Sequence, residues 1–480
     1  MDIVVVGAGI TGLGTALMLG QAGHRVTLLE RDAAPPDDPE EAWHGWERRG
    51  VPQLRLAHVF LGRLRNMLRD EQPELYAELM DAGANEMSWY DSLPPTITDR
   101  SPRPIDGDLA MLGMRRPVFE LHLRRALART PGVEVRSGVA VSGITSGPPV
   151  VAGIPHVTGV LVDGGSTIAA DLVVDCGGRR SSLPTWLDAL GAPPMPVEEV
   201  ADGLMYFGRY YRLDDGQDYA DLAGGVVVDL GYLFGLTFRA DDGWFAIALA
   251  VHNEDKAIRA LRDERVFEAA LQAIPRTARW RTPGSSTPMT EVKTMSRIDD
   301  QWRDFVVDGA PLATGILPVG DSMVATNPAL GRGSSLGWIA GRALADVLGQ
   351  HEQPVDIATA YHDAMLRLVR PWFDQTAQID ASRLEGMRRI LAGEPEPEVD
   401  ESDPEAAFGT GFQLGSQVDP EVYRGMGQVA HLLADPMTLL GDADLAARVI
   451  DVYTRRNEIS LPPSGPSRQE LIAVLEEAGG

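Results

Sequence analysis

Met1-Asp-Ile-Val-Val-Val-Gly-Ala-Gly-Ile-Thr-Gly12 carries the decision about the fold. Met1 to Val6 is a short apolar run rich in β-branched residues, which suits a strand buried on both faces of a parallel sheet. It runs into a G-x-G-x-x-G turn at Gly7, Gly9 and Gly12. Leu13, Ala16, Leu17 and Leu19 continue at helical spacing, and Gly20, Gly23 and His24 mark the stop. A second strand, Val26 to Leu29, ends at Glu30, with Arg31 beside it. Gly7 permits the tight turn, Gly9 lets a pyrophosphate approach the backbone, and Gly12 lets helix and strand pack closely. The helix N-terminus offers free N–H groups and a positive dipole end to phosphates. Glu30 stands where an acid accepts hydrogen bonds from a ribose. A Gly-rich turn alone is common and often empty. Strand, turn, helix and acid together predict a Rossmann-type βαβ unit that holds a dinucleotide.

The bounds set by composition agree with a globular protein. A chain of 480 residues predicts two or three domains. Its formal net charge of −26 argues against nucleic acid or an anionic membrane surface as the main partner. Cys176 is the single cysteine, so neither an intramolecular disulfide nor a Cys-rich metal site is expected. The nine histidines show no H-x-x-x-H or H-E-x-x-H pairing, and no metal site is expected. The first strand begins at once, without a signal-peptide pattern. No apolar run approaches the roughly 18 residues of a membrane span, so a cytoplasmic protein is expected.

Further along, residues 33–49 read as a polar loop holding Trp43 and Trp46. A helical pattern follows to about Ala82, and Arg116-Pro117 opens another helix, with proline where a missing N–H costs nothing. Val133–Arg136, Val139–Ile144 and Val157–Val162 read as a hairpin or small meander. Between residues 200 and 300, Met205–Tyr211, Val226–Val228, Tyr232–Phe238 and Trp244–Val251 predict an antiparallel sheet, with a helical cover at Glu254–Ile274 and a strand near Met289–Met295. From Val355 amphipathic helices dominate, interrupted by the acidic, Pro-rich linker Gly393–Glu401.

Two later motifs sharpen the nucleotide reading. Asp171-Leu-Val-Val-Asp-Cys-Gly-Gly-Arg-Arg-Ser-Ser182 is a buried strand and the loop it delivers. In Gly320-Asp-Ser-Met-Val-Ala-Thr-Asn-Pro-Ala-Leu-Gly-Arg-Gly-Ser-Ser335 a strand presents Asp321, and a Pro-x-x-Gly-x-Gly turn aims a second helix N-terminus at the ligand. Such an N-terminus suits a flavin, whose reduced ring carries negative charge. Pro328 is rigid and lacks an N–H, which suits the flat face of a ring.

With these three motifs in this order, the chain resembles the FAD-dependent monooxygenases of the para-hydroxybenzoate hydroxylase superfamily. Pro52-Gln-x-Arg-x-Ala-His58 and Arg116-Pro-x-Phe-Glu120 look like its bacterial branch of natural-product hydroxylases and epoxidases. The resemblance implies an α/β fold: a Rossmann-type FAD-binding domain, an inserted antiparallel β-sheet substrate domain and a C-terminal helical region. The FAD-binding domain is expected in parts at 1–85, 116–195 and 301–354, with a substrate-domain excursion at 86–115, its sheet at 196–300 and the helical region at 355–480. Gly7, Gly9, Thr11, Gly12, Glu30 and Arg31 would hold the ADP half. Arg55 and Arg116 would neutralise pyrophosphate or touch the ribityl chain, and Asp321 would hold the ribityl. Asp175 and Gly177 belong to the middle motif, and Pro328, Gly331, Gly333, Ser334 and Ser335 would meet the isoalloxazine. The middle motif lacks the usual arginine after its serines, and Ser322-Met323 stands where aromatic hydroxylases tend to carry Ala-Ala-His.

The implied reaction inserts one oxygen atom of O2 into an electron-rich aromatic or alkene small molecule through a flavin C4a-hydroperoxide. Electrons would come from NAD(P)H, directly or through a partner flavin reductase. No catalytic residue is identified; His58, Tyr211 and His252 are candidate bases, each more readily read as a structural side chain. Two alternatives stay open: a flavin reductase or dehydrogenase without oxygen insertion, and a flavin-dependent halogenase. Trp43-His-Gly-Trp46 does not match the halogenase Trp-x-Trp-x-Ile-Pro segment.

Overall fold

The computed structural model describes every residue except 202, 220–226 and 396–402, with residue 437 described by its backbone alone. Strand β1 (Asp2–Val6), helix α1 (Ile10–Gln21) and strand β2 (Arg25–Glu30) form the βαβ unit of the opening stretch. Helix α2 (Arg116–Arg129) leads to β3 (Val133–Ser137). Strands β4 (Leu172–Asp175) and β5 (Ile316–Pro318) complete a parallel sheet in the order β5-β4-β1-β2-β3. Helix α3 (Gly333–Leu348) follows β5, and α4 (Arg370–Ala392) lies further on.

Both faces of this sheet are covered, so α1 is buried on nearly every side from Ile10 to Gly20. Small residues let it approach α3. A Cβ on Gly337 would stand 2.1 Å from the Thr11 hydroxyl, one on Gly341 2.5 Å from that of Thr15, and one on Gly14 2.6 Å from the Trp338 ring. Close packing of this kind leaves no room for an added methyl.

The strand reading needs two corrections. Val133–Ser137 does not pair with the strands after it. It lies parallel to β2, while Val141–Val151, Ile154–Val162 and Thr167–Ala169 make a separate antiparallel sheet. Strand-forming residues look alike in either sheet; the crossover through α2 is what returns the chain beside β2. The polar stretch 33–49 also holds a helix, Pro39–Gly45, capped by Asp38, and both of its tryptophans are buried.

Leu204–Leu213, Val227–Asp229, Leu233–Arg239, Trp244–His252, Ser286–Pro288 and Lys293–Ser296 form a six-stranded antiparallel sheet. Val226 lies outside the described residues, and so does most of the linker Gly393–Glu401. Alternation divides the sheet into two faces. Phe207, Tyr211, Phe245, Ile247 and Leu249 meet the helix Glu264–Ala273 and, from far along the chain, Leu471 and Leu475 of the helix Arg468–Gly479. Tyr206, Phe234 and Ala250 face the other way, toward Ala329 and Met387.

The two sheets are fastened at Arg115. Its Nε and Nη2 donate to the Asp241 carboxylate at 2.9 and 2.6 Å, and its guanidinium lies 4.4 Å from the Trp244 ring centre and 5.4 Å from that of Trp43. The C-terminal helices are tied back by His431, whose Nδ1 accepts from the Gly62 N–H at 2.9 Å, and by the Arg424–Asp106 ion pair. No helix among the described residues is long and apolar enough to cross a membrane.

Gly337→Ala is expected to cost about 1–3 kcal/mol through overpacking against Thr11, read as a lower urea midpoint. Thr11→Ala in the same chain should return part of the loss. A G337A protein as stable as its parent would remove the α1–α3 approach as a constraint.

Candidate functional site

The carboxyl ends of β1, β4 and β5 lie side by side, the place where open α/β sheets bind ligands. At the end of β1, Gly7 has φ +98° and packs on Cys176, whose carbonyl oxygen would be 2.5 Å from a Cβ there. A Cβ on Gly12 would stand 1.9 Å from the Gly7 carbonyl oxygen. Gly9 differs: its one neighbour within 4 Å of a Cβ position is Arg116 Nη2, at 3.8 Å. The turn is therefore closed on the protein side and open at Gly9. Gly9 is also the N-cap of α1 and offers no side chain, so the first-turn N–H groups are not capped.

Around that opening lies a buried charge network. Glu30 accepts from the N–H groups of Ala8 (2.9 Å) and Asp32 (3.0 Å) and pairs with Arg48. Arg48 also pairs with Glu120, which accepts from Arg116 Nε at 2.8 Å. Burial works to raise the Glu120 carboxyl, but Arg48 and Arg116 prevail and hold it below its ordinary value. Arg116 Nη1 reaches His58 Nε2 at 3.3 Å. His58 Nδ1 lies 2.8 Å from the Leu56 carbonyl and must donate to it, which leaves Nε2 as the acceptor. Burial first, and then Arg116, push this imidazole down to about 4, so it is neutral at physiological pH.

The other expected ADP residues are placed less directly. Arg31 is exposed and lies against Gly50. Arg55 donates to the carbonyls of Trp43 and Trp46, so its guanidinium is spent on its own loop. The Thr11 side chain packs between Gly320 and Gly337.

At the end of β4, Asp175 is fully buried and closes its own loop, accepting from the Gly177 N–H at 3.0 Å and from the Ser181 hydroxyl. Beyond β5, the Asp321 carboxylate accepts no hydrogen bond among the described residues. Burial raises its pKa, opposed by Arg179, Arg116 and Arg303. Gly333 begins α3 beside it, with its Cβ position 3.8 Å from Asp321 Oδ1. Gly331 takes φ +67° to end the short turn that starts at Pro328. The first turn of α3 has no side-chain cap; Ser334 is half-buried there, and the buried Ser335 hydroxyl has no partner.

Residues 2–100 match the family of FAD dependent oxidoreductases. Protein Rv3254 of Mycobacterium tuberculosis (strain ATCC 25618 / H37Rv) is 28% identical over 365 residues, which span 69% of this chain and 70% of that protein. Among solved structures, the flavin-dependent brominase Bmp2 aligns with a TM-score of 0.60 at 12% identity, covering 95% of this chain and 100% of its own. The p-nitrophenol 4-monooxygenase PnpA from Pseudomonas putida DLL-E4 aligns at 0.56 with 15% identity, covering 90% and 98%. These likenesses establish the architecture: a mixed α/β chain with an FAD-binding fold and antiparallel sheets, similar to flavin monooxygenase structures.

The residues present fit that cofactor on three counts. Gly9 leaves a cradle facing a cation, Asp321 is a carboxylate without a donor, and α3 presents an uncapped first turn with an orphaned hydroxyl. Of the candidate bases, Tyr211 faces the helix-covered side of the sheet and donates to Glu268 at 2.8 Å, and His252 accepts from the Glu254 N–H at 3.1 Å. Neither joins the group around Asp321. Tyr206, on the opposite face, does reach it by donating to Asn327 Oδ1. Strand alternation separates Tyr206 from Tyr211, and that signal was available in the sequence. Arg48 was not legible, because it sits in a loop with no period.

Gly9→Ala and Gly12→Ala should separate binding from folding. The first leaves the apoprotein's stability within about 0.5–1 kcal/mol and abolishes retained flavin absorbance. The second, driven into the Gly7 carbonyl, lowers stability by more than about 3 kcal/mol.

Proposed function

We propose that this chain is an FAD-dependent monooxygenase that inserts one oxygen atom of O2 into an electron-rich aromatic or alkene small molecule, by hydroxylation or epoxidation, in natural-product tailoring. The observation that carries this reading is the meeting of three features at one place. They are the donor-less Asp321, the uncapped N-terminus of α3, and the apolar sheet face of Tyr206, Phe234 and Ala250 that, with Met387 of α4, closes over Ala329. Bound FAD would supply the two-electron chemistry with O2.

The chain's own part is binding, orientation and exclusion of water. Gly9 admits the pyrophosphate to the N-terminus of α1, and Arg116, braced by Glu120, neutralises it. Asp321 would accept hydrogen bonds from the ribityl hydroxyls. The uncapped N–H groups of Gly333, Ser334 and Ser335 would favour negative charge on the ring. Pro328 and Ala329 would offer the ring apolar contact, and the buried Tyr206 and Phe234 would keep water from an apolar or aromatic substrate. Electrons come from NAD(P)H, either directly or from a partner flavin reductase. His58 is tied to Leu56 and Arg116 and holds no proton on Nε2 at neutral pH, which suits a structural histidine.

Two measurements test the reading. Substrate turnover by the FAD-loaded protein should consume O2 in step with product; product formed anaerobically would replace oxygen insertion with hydride transfer. Asp321→Ala should weaken FAD affinity about 10- to 100-fold, the worth of a charge-assisted hydrogen bond, with folding unchanged. An anaerobic spectrum with NADPH then assigns the electron donor: bleaching means direct reduction, and no bleaching means a partner reductase.

A further inference from the structure

Arg116 engages two of its three guanidinium nitrogens within the chain. Nε donates to Glu120 Oε1 at 2.8 Å, and Nη1 donates to His58 Nε2 at 3.3 Å. Nη2 has no acceptor among the described residues, and it is the atom nearest the Cβ position of Gly9, at 3.8 Å. The residue is 8% exposed, so a buried cation turns one unpartnered corner to the opening of the glycine turn. Glu120 is not free to follow a swing of Arg116. Its other oxygen pairs with Arg48, which itself donates to the Ala8 carbonyl at 2.9 Å.

The neighbours of His58 dictate where its proton sits. The Leu56 carbonyl, 2.8 Å from Nδ1, can only accept, and the guanidinium facing Nε2 can only donate. The imidazole therefore carries its proton on Nδ1 and offers a lone pair at Nε2. A second proton would set an N–H against a cation, in keeping with the low value to which burial and Arg116 push this ring. The backbone on either side of His58 is held as firmly. The Leu56 carbonyl also accepts from the hydroxyl of Tyr210, in the strand Leu204–Leu213, at 3.0 Å. Phe60 exchanges backbone hydrogen bonds with Leu112 at 2.9 and 2.8 Å. Its ring stacks on that of Phe119 at 4.1 Å, about one turn of α2 after Arg116.

We propose that His58 is a positioning residue for a diphosphate site: together with Glu120 it holds two nitrogens of Arg116 and turns the third, Nη2, toward the opening at Gly9. That the bound group is a diphosphate rests on the FAD reading. A planar guanidinium held at one nitrogen can pivot about that bond, and one held at two cannot. Arg116 is thus ordered before any ligand arrives, and binding does not bear the cost of ordering it. His58 does this as a neutral acceptor, without moving a proton. Through the shared Leu56 carbonyl, the aim of Arg116 is also tied to Tyr210 of the antiparallel sheet.

The test titrates ADP calorimetrically into the full chain freed of flavin. His58→Asn keeps a donor for Leu56 and removes the acceptor for Arg116, whereas His58→Gln carries an acceptor far enough out to replace Nε2. H58N should weaken ADP binding about tenfold, the worth of one hydrogen bond to a charged group, and H58Q should return most of that loss. In an Arg116→Gln background H58N should cost less than about twofold, because a residue that acts through Arg116 has nothing left to aim. Equal losses in both backgrounds, or an H58N protein that binds ADP as its parent does, overturn the proposal. A nitrogen NMR spectrum of histidine-labelled parent, with the His58 signals assigned by their absence from H58Q, needs no ligand. It should show Nδ1 protonated and Nε2 bare at neutral pH; a proton on Nε2 overturns the proposal even if H58N does not fold. A parent that binds ADP in this pattern but does not retain FAD counts against the flavin reading alone. A parent that binds neither overturns both.

Discussion

Everything near the site depends on how closely two helices and three strands approach at their ends. Gly12 leaves its Cβ position 1.9 Å from the Gly7 carbonyl, and Gly337 leaves its own 2.1 Å from the Thr11 hydroxyl. These contacts set α1 against β1 on one side and α3 against α1 on the other. Because one contact is backbone on backbone and the other backbone on a short side chain, neither has much capacity to relax. The two helix N-termini are thereby held at one edge of the parallel sheet, open at Gly9 and Gly333. In the proposed function, phosphate binding at one and charge stabilisation at the other would need that fixed spacing more than any particular side chain.

The second layer of organisation is electrostatic and buried. Arg48 and Arg116 tie the two carboxylates of Glu30 and Glu120 together, and Arg115 pins the sheets through Asp241. A buried pair of this kind is a poor source of stability, since desolvation offsets the attraction. It specifies geometry instead: an arginine in the wrong register would leave a charge unpaired. That reasoning explains why Arg115, stacked on Trp43 and Trp244, stands where the six-stranded antiparallel sheet meets the N-terminal end of α2.

Local features were legible in the sequence, and long-range ones were not. The βαβ unit from Asp2 to Glu30 was readable because strand, turn and helix are consecutive and each glycine has a local steric reason. Asp321 was readable as a carboxylate delivered by a strand into a Gly-rich turn. The partner of Val133–Ser137 was not, since strand composition does not name the sheet. Trp43 and Trp46 looked like loop residues because the residues that bury them, Tyr210, Trp244 and Arg124 among them, lie far away in sequence. Arg48 was invisible for the same reason: its meaning lies in what surrounds it.

One face of the six-stranded antiparallel sheet is finished by Leu471 and Leu475, in a helix more than two hundred residues after the strands it covers. During synthesis those strands leave the ribosome well before their cover exists. At about 5–20 residues per second, Phe207, Phe245 and Ile247 wait some tens of seconds under the helix Glu264–Ala273 alone. The order of translation thus imposes a half-covered apolar sheet as an obligatory folding stage. The chain's yield in a cell is then governed by how that stage is sheltered, a pressure acting on residues far from any chemistry.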